Sequence, residues 1–194
     1  MKFWQRKKAE AAEAVEESTL ADRYIAAVEA HRAEKDRFFA QSGHSPLDQT
    51  QRDTFEGLAY WPPDPAYQFS LPVQRDDPQT ITFQTSDGAE QPYSRLGTIS
   101  LRVEAGEGTL ALYEDESGGL FLPFRDSTSG TESYGAGRYL EPQWIDDTSV
   151  LVDFNLAYNP FCAYSYDYSC PLPPLENWLQ IPIRAGEKAF VDGG

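Results

Sequence analysis

The 194-residue chain is poor in cysteine, histidine and lysine, and it has no long apolar run. It contains two Cys, two His and five Lys. No apolar stretch approaches the roughly 20 residues that a membrane-spanning helix requires, so we expect no membrane association. Two cysteines cannot complete a four-ligand zinc site, and both histidines lie far from them in the sequence. We therefore expect no bound metal.

Familiar catalytic signatures are also missing. The chain has no phosphate-binding loop, no glycine-rich dinucleotide fingerprint, no HExxH and no GxSxG. These motifs are the usual sequence signals for nucleotide binding, zinc-dependent proteolysis and the nucleophile of an α/β-hydrolase. Their absence predicts a protein that uses no cofactor.

Positive charge is scarce: 16 Lys and Arg face 31 Asp and Glu, for a net charge of −15. The first 40 residues contain eight basic and eight acidic residues, so the whole excess lies in residues 41–194. This balance opposes nucleic-acid binding through phosphates. An acidic, lysine-poor surface is typical of a protein that works in concentrated salt, and an ordinary acidic protein is the alternative. The polar N-terminus resembles no secretory signal, so we expect a cytoplasmic location.

Glycine and proline are absent from the first 42 residues, which contain ten Ala by residue 40. This composition favours a helix. Spacings of three, four and seven predict an amphipathic helix over residues 20–40, ending near Gly43. Its apolar face would contain Leu20, Tyr24, Val28, His31 and Phe38, with His31 at the edge of the core. Residues 1–18 have little to bury and are predicted to be a polar extension of a single domain spanning 19–194.

Apolar and polar residues alternate with period two from about residue 67 onward. Glycine-containing segments at 105–108 and 117–119 separate consecutive apolar runs and are typical of hairpin turns. We expect a mainly β (α+β) protein, an antiparallel sandwich or partly open barrel over about 45–194 with the helix against it. The clearest strands are predicted near 99–103, 110–112, 120–124, 150–155 and 179–183.

A series of ordered motifs runs through this β body. They are SPL at 45–47, FEGLAY at 55–60, PFRD at 123–126, TSG at 128–130, GRYL at 137–140, DFN at 153–155, AYNP at 157–160, CAY at 162–164, CPLPP at 170–174, Asn177 and AGEK at 185–188. In these motifs the chain resembles the uncharacterised bacterial and archaeal family called domain of unknown function 1684. Trp178 stands where a basic residue is commoner in that family. The resemblance implies no activity.

Polar residues among the aromatics of 124–187 are the candidates for binding. Arg125 and Arg138 could hold an anion, or both could be used by internal carboxylates and carbonyls. We hypothesise a pocket for a small molecule, anions included, roofed by loops 125–138 and 156–178, with Tyr134, Tyr158 and Tyr164 as walls. The candidate ligand-binding residues are Arg125, Tyr134, Arg138, Asn155, Tyr158, Asn159, Cys162 and Asn177.

Two other functions remain open from the sequence. Asp126, Asp153 and Glu187 could act as paired carboxylates in a hydrolase-like enzyme if the fold brings them together. The protein could instead be a purely structural or interaction module. Cys162 and Cys170 are eight positions apart, so a disulfide is geometrically possible, although an intracellular chain usually keeps its thiols reduced.

Overall fold

Two antiparallel sheets and one long helix make up the fold. The structure is a computed structural model that describes residues 2–190, with side chains described at 19–77 and 79–190. The helices are α1 (Lys2–Gln41) and α2 (Gln49–Asp53). The strands are β1 (Gln68–Pro72), β2 (Gln74–Gln84), β3 (Glu90–Val103), β4 (Gly106–Glu114), β5 (Leu120–Phe124), β6 (Arg138–Leu140), β7 (Gln143–Trp144) and β8 (Ser149–Asp153). Four short 3-10 turns complete the set, at Pro65–Tyr67, Phe154–Leu156, Phe161–Ala163 and Leu175–Asn177.

The strands form a five-stranded sheet of order β2-β3-β4-β5-β6 and a three-stranded sheet of order β1-β8-β7. Every pairing between these strands is antiparallel. Within the described range neither sheet closes into a barrel, and the predicted mainly β (α+β) sandwich is confirmed. A bulge bends β3 at Gly97, where a Cβ atom would lie 2.2 Å from the carbonyl oxygen of Gln74. Only glycine permits this close approach of the two backbones.

The main hydrophobic core draws side chains from both sheets. Inward-facing residues such as Ile99 and Leu112 of the larger sheet share this core with Val150 and Val152 of β8. A second, aromatic cluster lies on the other face of the larger sheet, where the rings of Phe83 and Tyr93 stack 4.7 Å apart. Alternate residues of these strands therefore pack into two apolar layers, one on each face of the larger sheet, and neither face is mainly exposed to solvent.

Helix α1 differs from its prediction in length and in the face that it buries. It is continuous from Lys2, although the side chains of the predicted extension 1–18 lie outside the described residues. Its buried face contains Val28, Arg32 and Phe39, whereas Leu20 and Phe38 are exposed. His31 is exposed too, so its predicted place at the core edge is wrong. The prediction was wrong because it placed only apolar residues on the buried face, whereas the charged Arg32 lies on that face together with Val28 and Phe39.

The strand predicted at 179–183 does not form. Leu179 and Ile183 are buried in the main core, as an apolar run predicts. However, the backbone here makes only scattered bonds to the loop after β5, such as Leu179 N–H to the Arg125 carbonyl at 2.8 Å. Pro182 lacks an N–H donor, which interrupts any regular ladder. Residues 179–188, which we call the strap, are irregular and contribute side chains without joining a sheet.

Candidate functional site

A cleft of about 660 Å³ lies between α1 and the β1–β8–β7 sheet. We call it the main cleft. Its apolar lining comes mainly from Phe38, Phe39, Leu151, Leu156 and Phe161. Its polar lining consists of His31, Lys35, Gln68, Glu141, Gln143, Asp153 and Tyr158. Small-molecule sites commonly combine this volume and this mixture, with a few polar groups set among aromatic side chains.

A smaller cavity of about 50 Å³, the inner cavity, adjoins the main cleft. The two share His31, Lys35, Leu156 and Tyr158 as lining residues. The remaining lining of the inner cavity is Arg32, Tyr60, Asn155, Ala157 and Glu187. Helix α1 therefore places the basic side chains over both spaces, while the segments 153–158 and 185–188 supply the opposite walls.

Glu187 is 1% exposed and lies at the wall of the inner cavity. One carboxylate oxygen pairs with the Lys35 ammonium. The other accepts bonds from the Asn159 backbone N–H at 2.7 Å and the Tyr164 hydroxyl at 2.8 Å. Burial, and then the charge of Glu187, raise the pKa of Tyr164 well above its ordinary value. The phenol is therefore a fixed donor, and the charge of Glu187 is balanced by Lys35.

Asp153 and Asn155 anchor the middle of α1 through Tyr24. The Tyr24 hydroxyl donates to both Asp153 carboxylate oxygens at 2.8 Å and accepts a bond from the Asn155 amide at 2.7 Å. The same amide donates to the Asp64 carbonyl, and Asn155 Oδ1 accepts from the Asp64 backbone N–H. Burial and the Asp153 bond raise the pKa of Tyr24. The side chains of Tyr24, Asp153 and Asn155 therefore hold α1 against the smaller sheet.

The guanidinium of Arg138 makes its hydrogen bonds inside the protein. The residue is 1% exposed, and its guanidinium donates to Asp126 at 2.8 Å and to the Ile183 carbonyl at 2.7 Å. Further bonds go to the carbonyls of Ala185 and Glu187. Of the two interpretations of Arg138, the arrangement favours the internal one, in which it fixes the strap 179–188 to β6.

Two predicted asparagines also have internal partners. The Asn177 side chain bonds both the N–H and the carbonyl of Ala111 on β4 and the carbonyl of Pro123 on β5, at 2.7–2.9 Å. Asn159 donates to the Lys188 carbonyl at 2.8 Å. Both residues brace loops against the strands, and neither lines the main cleft or the inner cavity.

Arg125 stands apart from this internal network. Its guanidinium lies 4.2 Å from the centre of the Trp178 ring, and the described residues place no carboxylate in ion-pair contact with it. This half-buried stacked cation does not line the main cleft.

The two cysteines are adjacent and free. The backbone N–H of Cys162 donates to Cys170 Sγ at 3.3 Å, and the Tyr134 hydroxyl donates to the Cys162 carbonyl at 3.3 Å. A hydrogen bond from the Cys170 thiol, helped by one from Tyr134, lowers the pKa of Cys162 to about 6. Cys162 is therefore the more acidic thiol of the pair.

The structure distributes the predicted site residues over separate networks. Of the eight candidate ligand-binding residues, Tyr158 lines the main cleft and Asn155 the inner cavity. No residue of loop 125–138 lines either space. The candidate catalytic carboxylates Asp126, Asp153 and Glu187 have no side-chain partner in common among the described residues.

Sequence reasoning missed the contribution of α1. Arg32 and Lys35 interrupt an apolar stripe, which is the pattern of a helix that faces a polar site rather than a dry core. Tyr60 lies in the FEGLAY motif, but nothing in its local sequence marks it as a site residue. Within the described residues no group of His, Cys, Asp and Glu is arranged to hold a metal ion, and no helix is long and apolar enough to cross a membrane.

The fold and site together define a mainly β sandwich with a cleft closed on one side by an N-terminal helix. The chain belongs to the family described as "Protein of unknown function (DUF1684)", whose model matches residues 53–188. This confirms the resemblance inferred from the motifs. The chain is also similar to an uncharacterised protein of Haloarcula marismortui known from a solution NMR structure, with 42% identity and a TM-score of 0.65. The match covers 86% of this chain and 95% of that protein. No curated protein matches significantly.

Proposed function

We propose that this protein binds a small amphipathic organic molecule in the main cleft. The observation that carries the proposal is the cleft itself: about 660 Å³, walled by aromatic and aliphatic side chains, with Lys35 and Tyr158 at its junction with the inner cavity. A carboxylate-paired enzyme is less well supported, because the carboxylates of Asp126, Asp153 and Glu187 bond different side chains.

The lining favours a ligand with an apolar body. Phe38, although 38% exposed, turns toward the cleft beside Phe39 and Leu156. Exposed apolar side chains gathered around a concavity are more informative than scattered ones, because covering them releases water. The Tyr158 hydroxyl donates to Glu141 at 2.7 Å, and this bond orients the ring at the wall of the cleft.

A thermal-shift screen of small organic molecules tests the proposal. A ligand that binds only the folded protein adds about 2.7 kcal/mol of stability at 100 times its Kd, which corresponds to a rise in Tm of about 5–10 °C. Leu156→Trp fills part of the cleft from a side chain that is 38% exposed, so folding should survive. The variant should lose the ligand-induced shift.

Leu175→Ala is the matched control, because Leu175 is 77% exposed and lines neither the main cleft nor the inner cavity. It should keep the full shift. If the compounds that bind raise the Tm of wild type and of Leu156→Trp equally, binding lies outside the cleft. A purely structural role would be favoured if no compound raised the Tm at all.

The acidic surface supports a second proposal, adaptation to concentrated salt. Its support is the net charge of −15 and the 42% identity to a protein of a halophilic archaeon. Salt at about 1 M shortens the Debye length to roughly 3 Å, which weakens repulsion among neighbouring carboxylates. The cytoplasmic location and the absence of nucleic-acid binding expected from the sequence stay predictions.

A further inference from the structure

Arg32 is a buried cation without a carboxylate partner. It is 8% exposed, and no described carboxylate is in ion-pair contact with it. Its two terminal nitrogens donate to backbone carbonyls, those of Trp61 at 2.7 Å and Asn155 at 3.1 Å. Glu187, whose charge acts on Arg32, is already paired with Lys35. A buried charge in this position normally needs a counter-charge.

Two unpartnered polar atoms belong to the lining of the inner cavity. Arg32 Nε and the Tyr60 hydroxyl are buried and make no hydrogen bond of normal geometry among the described residues. Burial, and then the charge of the nearby Glu187 carboxylate, raise the pKa of Tyr60, so this hydroxyl stays a donor. The Arg32 guanidinium lies 4.5 Å from the centre of the Tyr60 ring, so the two side chains form one wall. Buried donors are almost always satisfied in folded proteins, so two in one small cavity point to a bound acceptor.

We propose that the inner cavity binds the carboxylate of a monocarboxylic acid through Arg32 and Tyr60. The inference rests on the proposed function, because the apolar tail of this acid would occupy the main cleft. Arg32 contributes a positive charge that Glu187 does not cancel, since Lys35 and Glu187 balance each other. The resulting single positive charge matches a monoanion.

The size and charge of the inner cavity select against larger anions. About 50 Å³ of space accommodates a few water molecules or a carboxylate. A dianion such as a phosphate monoester carries one negative charge more than Arg32 can balance, and its head group is larger than a carboxylate. The ligand class is therefore a carboxylic acid with an aliphatic or aromatic tail, its head under α1 and its tail along Leu156 and Phe161.

Calorimetric titration with octanoate and octanamide in chloride-free buffer tests the head group. The two probes share a tail and differ in charge, so octanoate should bind at least tenfold more tightly, as expected for hydrogen bonds to a charged group. Equal affinities would refute the carboxylate subsite while leaving the cleft proposal standing. The same conclusion follows if neutral compounds fill the cleft and no carboxylate gains over its amide.

Tyr60→Phe isolates the subsite from folding. The substitution removes a hydroxyl that makes no hydrogen bond of normal geometry among the described residues, so the free energy of unfolding should change little. It should weaken octanoate about tenfold and octanamide much less, because a hydrogen bond to a neutral carbonyl is weaker than one to a carboxylate. Arg32→Gln should abolish the preference for octanoate, but it also removes bonds to Trp61 and Asn155 that hold α1. An unchanged preference in Tyr60→Phe would therefore overturn the proposal whether or not Arg32→Gln folds.

Acetate tests the inner cavity without the cleft. Its titration should shift the Arg32 Nε–H resonance in a saturable way in NMR spectra of the intact protein, with at least a fivefold weaker response in Tyr60→Phe. If acetate shifts the resonance in a saturable way but no compound with an apolar tail binds, the cleft proposal alone is refuted. If neither acetate nor octanoate changes the chemical shift of this resonance, the subsite proposal is refuted.

Discussion

Replacing Arg138 by methionine should remove a large share of the protein's stability. The guanidinium is 1% exposed and holds the Asp126 carboxylate, whose side chain is wholly buried, at 2.8 Å. Methionine fills much of the same space but donates no hydrogen bond. Asp126 would keep its bonds from Thr128 and from the Ile183 backbone N–H. Its negative charge would nevertheless remain in the core without a cation.

The magnitude follows from the burial of both partners. Breaking a buried ion pair by removing one member costs about 3–5 kcal/mol, because the remaining charge is left uncompensated. A domain of this size has about 5–15 kcal/mol in total. A loss of about 4 kcal/mol should lower the Tm by about 8–16 °C. The carbonyls of Ile183, Ala185 and Glu187 also lose a donor, so the strap 179–188 should loosen first.

Urea unfolding followed by tryptophan fluorescence at fixed salt measures the effect. Adding Asp126→Asn to Arg138→Met removes the stranded charge, so the double variant should be more stable than the sum of the two single losses allows. Arg184→Met is the matched control, because the Arg184–Glu132 pair is solvent-exposed and should contribute little. A loss below about 1 kcal/mol in Arg138→Met, or strict additivity, would show that the buried pair does not hold this region.

Three further predictions concern salt, thiol chemistry and backbone geometry. Tm should rise substantially from 0.1 M to 2 M KCl, because screening weakens repulsion more in the folded state. A variant with several exposed carboxylates changed to Gln should lose much of that rise, and an equal response in both would reject charge as the cause. Alkylation of Cys162 should have a midpoint well below the roughly pH 8.5 of a free thiol and level off above it, and Cys170→Ala, which removes the thiol donor, should move the midpoint upward; an ordinary thiol midpoint in wild type would contradict this. Gly97→Ala should cost at least about 2 kcal/mol in urea unfolding, because its φ is +150° and the new Cβ would meet the Gln74 carbonyl. Gly43→Ala, with open space around it, should be near neutral, and similar losses in both would remove the steric explanation.

The β body could be predicted largely from local pattern. Alternation around Ile99 and Leu110 and the glycines between them indicate hairpins, since period two and turn chemistry are properties of neighbouring residues. The segment 179–183 of the strap shows the limit of that reasoning. Its residues are apolar enough for a strand, but a strand also needs a partner edge, and only the fold determines whether one is within reach.

The site was harder to predict, because its chemistry depends on pairings between distant segments. Arg138 and Arg125 look alike in sequence, yet one is enclosed by Asp126 and three carbonyls while the other stacks on Trp178. Arg32 looks like an ordinary helical surface residue until α1 docks through Tyr24 onto Asp153. No alternation or spacing within α1 specifies these partners.

The sequence by itself determined the acidic character, the family, the N-terminal helix and the antiparallel β body. Each of these is a matter of composition, of ordered motifs or of periodicity along the chain. Only the tertiary structure decided which charged side chains form ion pairs with one another and which line a cavity. The reason is that ion pairs, cavities and buried donors arise between residues such as Arg32, Tyr60 and Glu187, which are more than 25 positions apart in sequence and meet only when α1 packs against the strap and the smaller sheet.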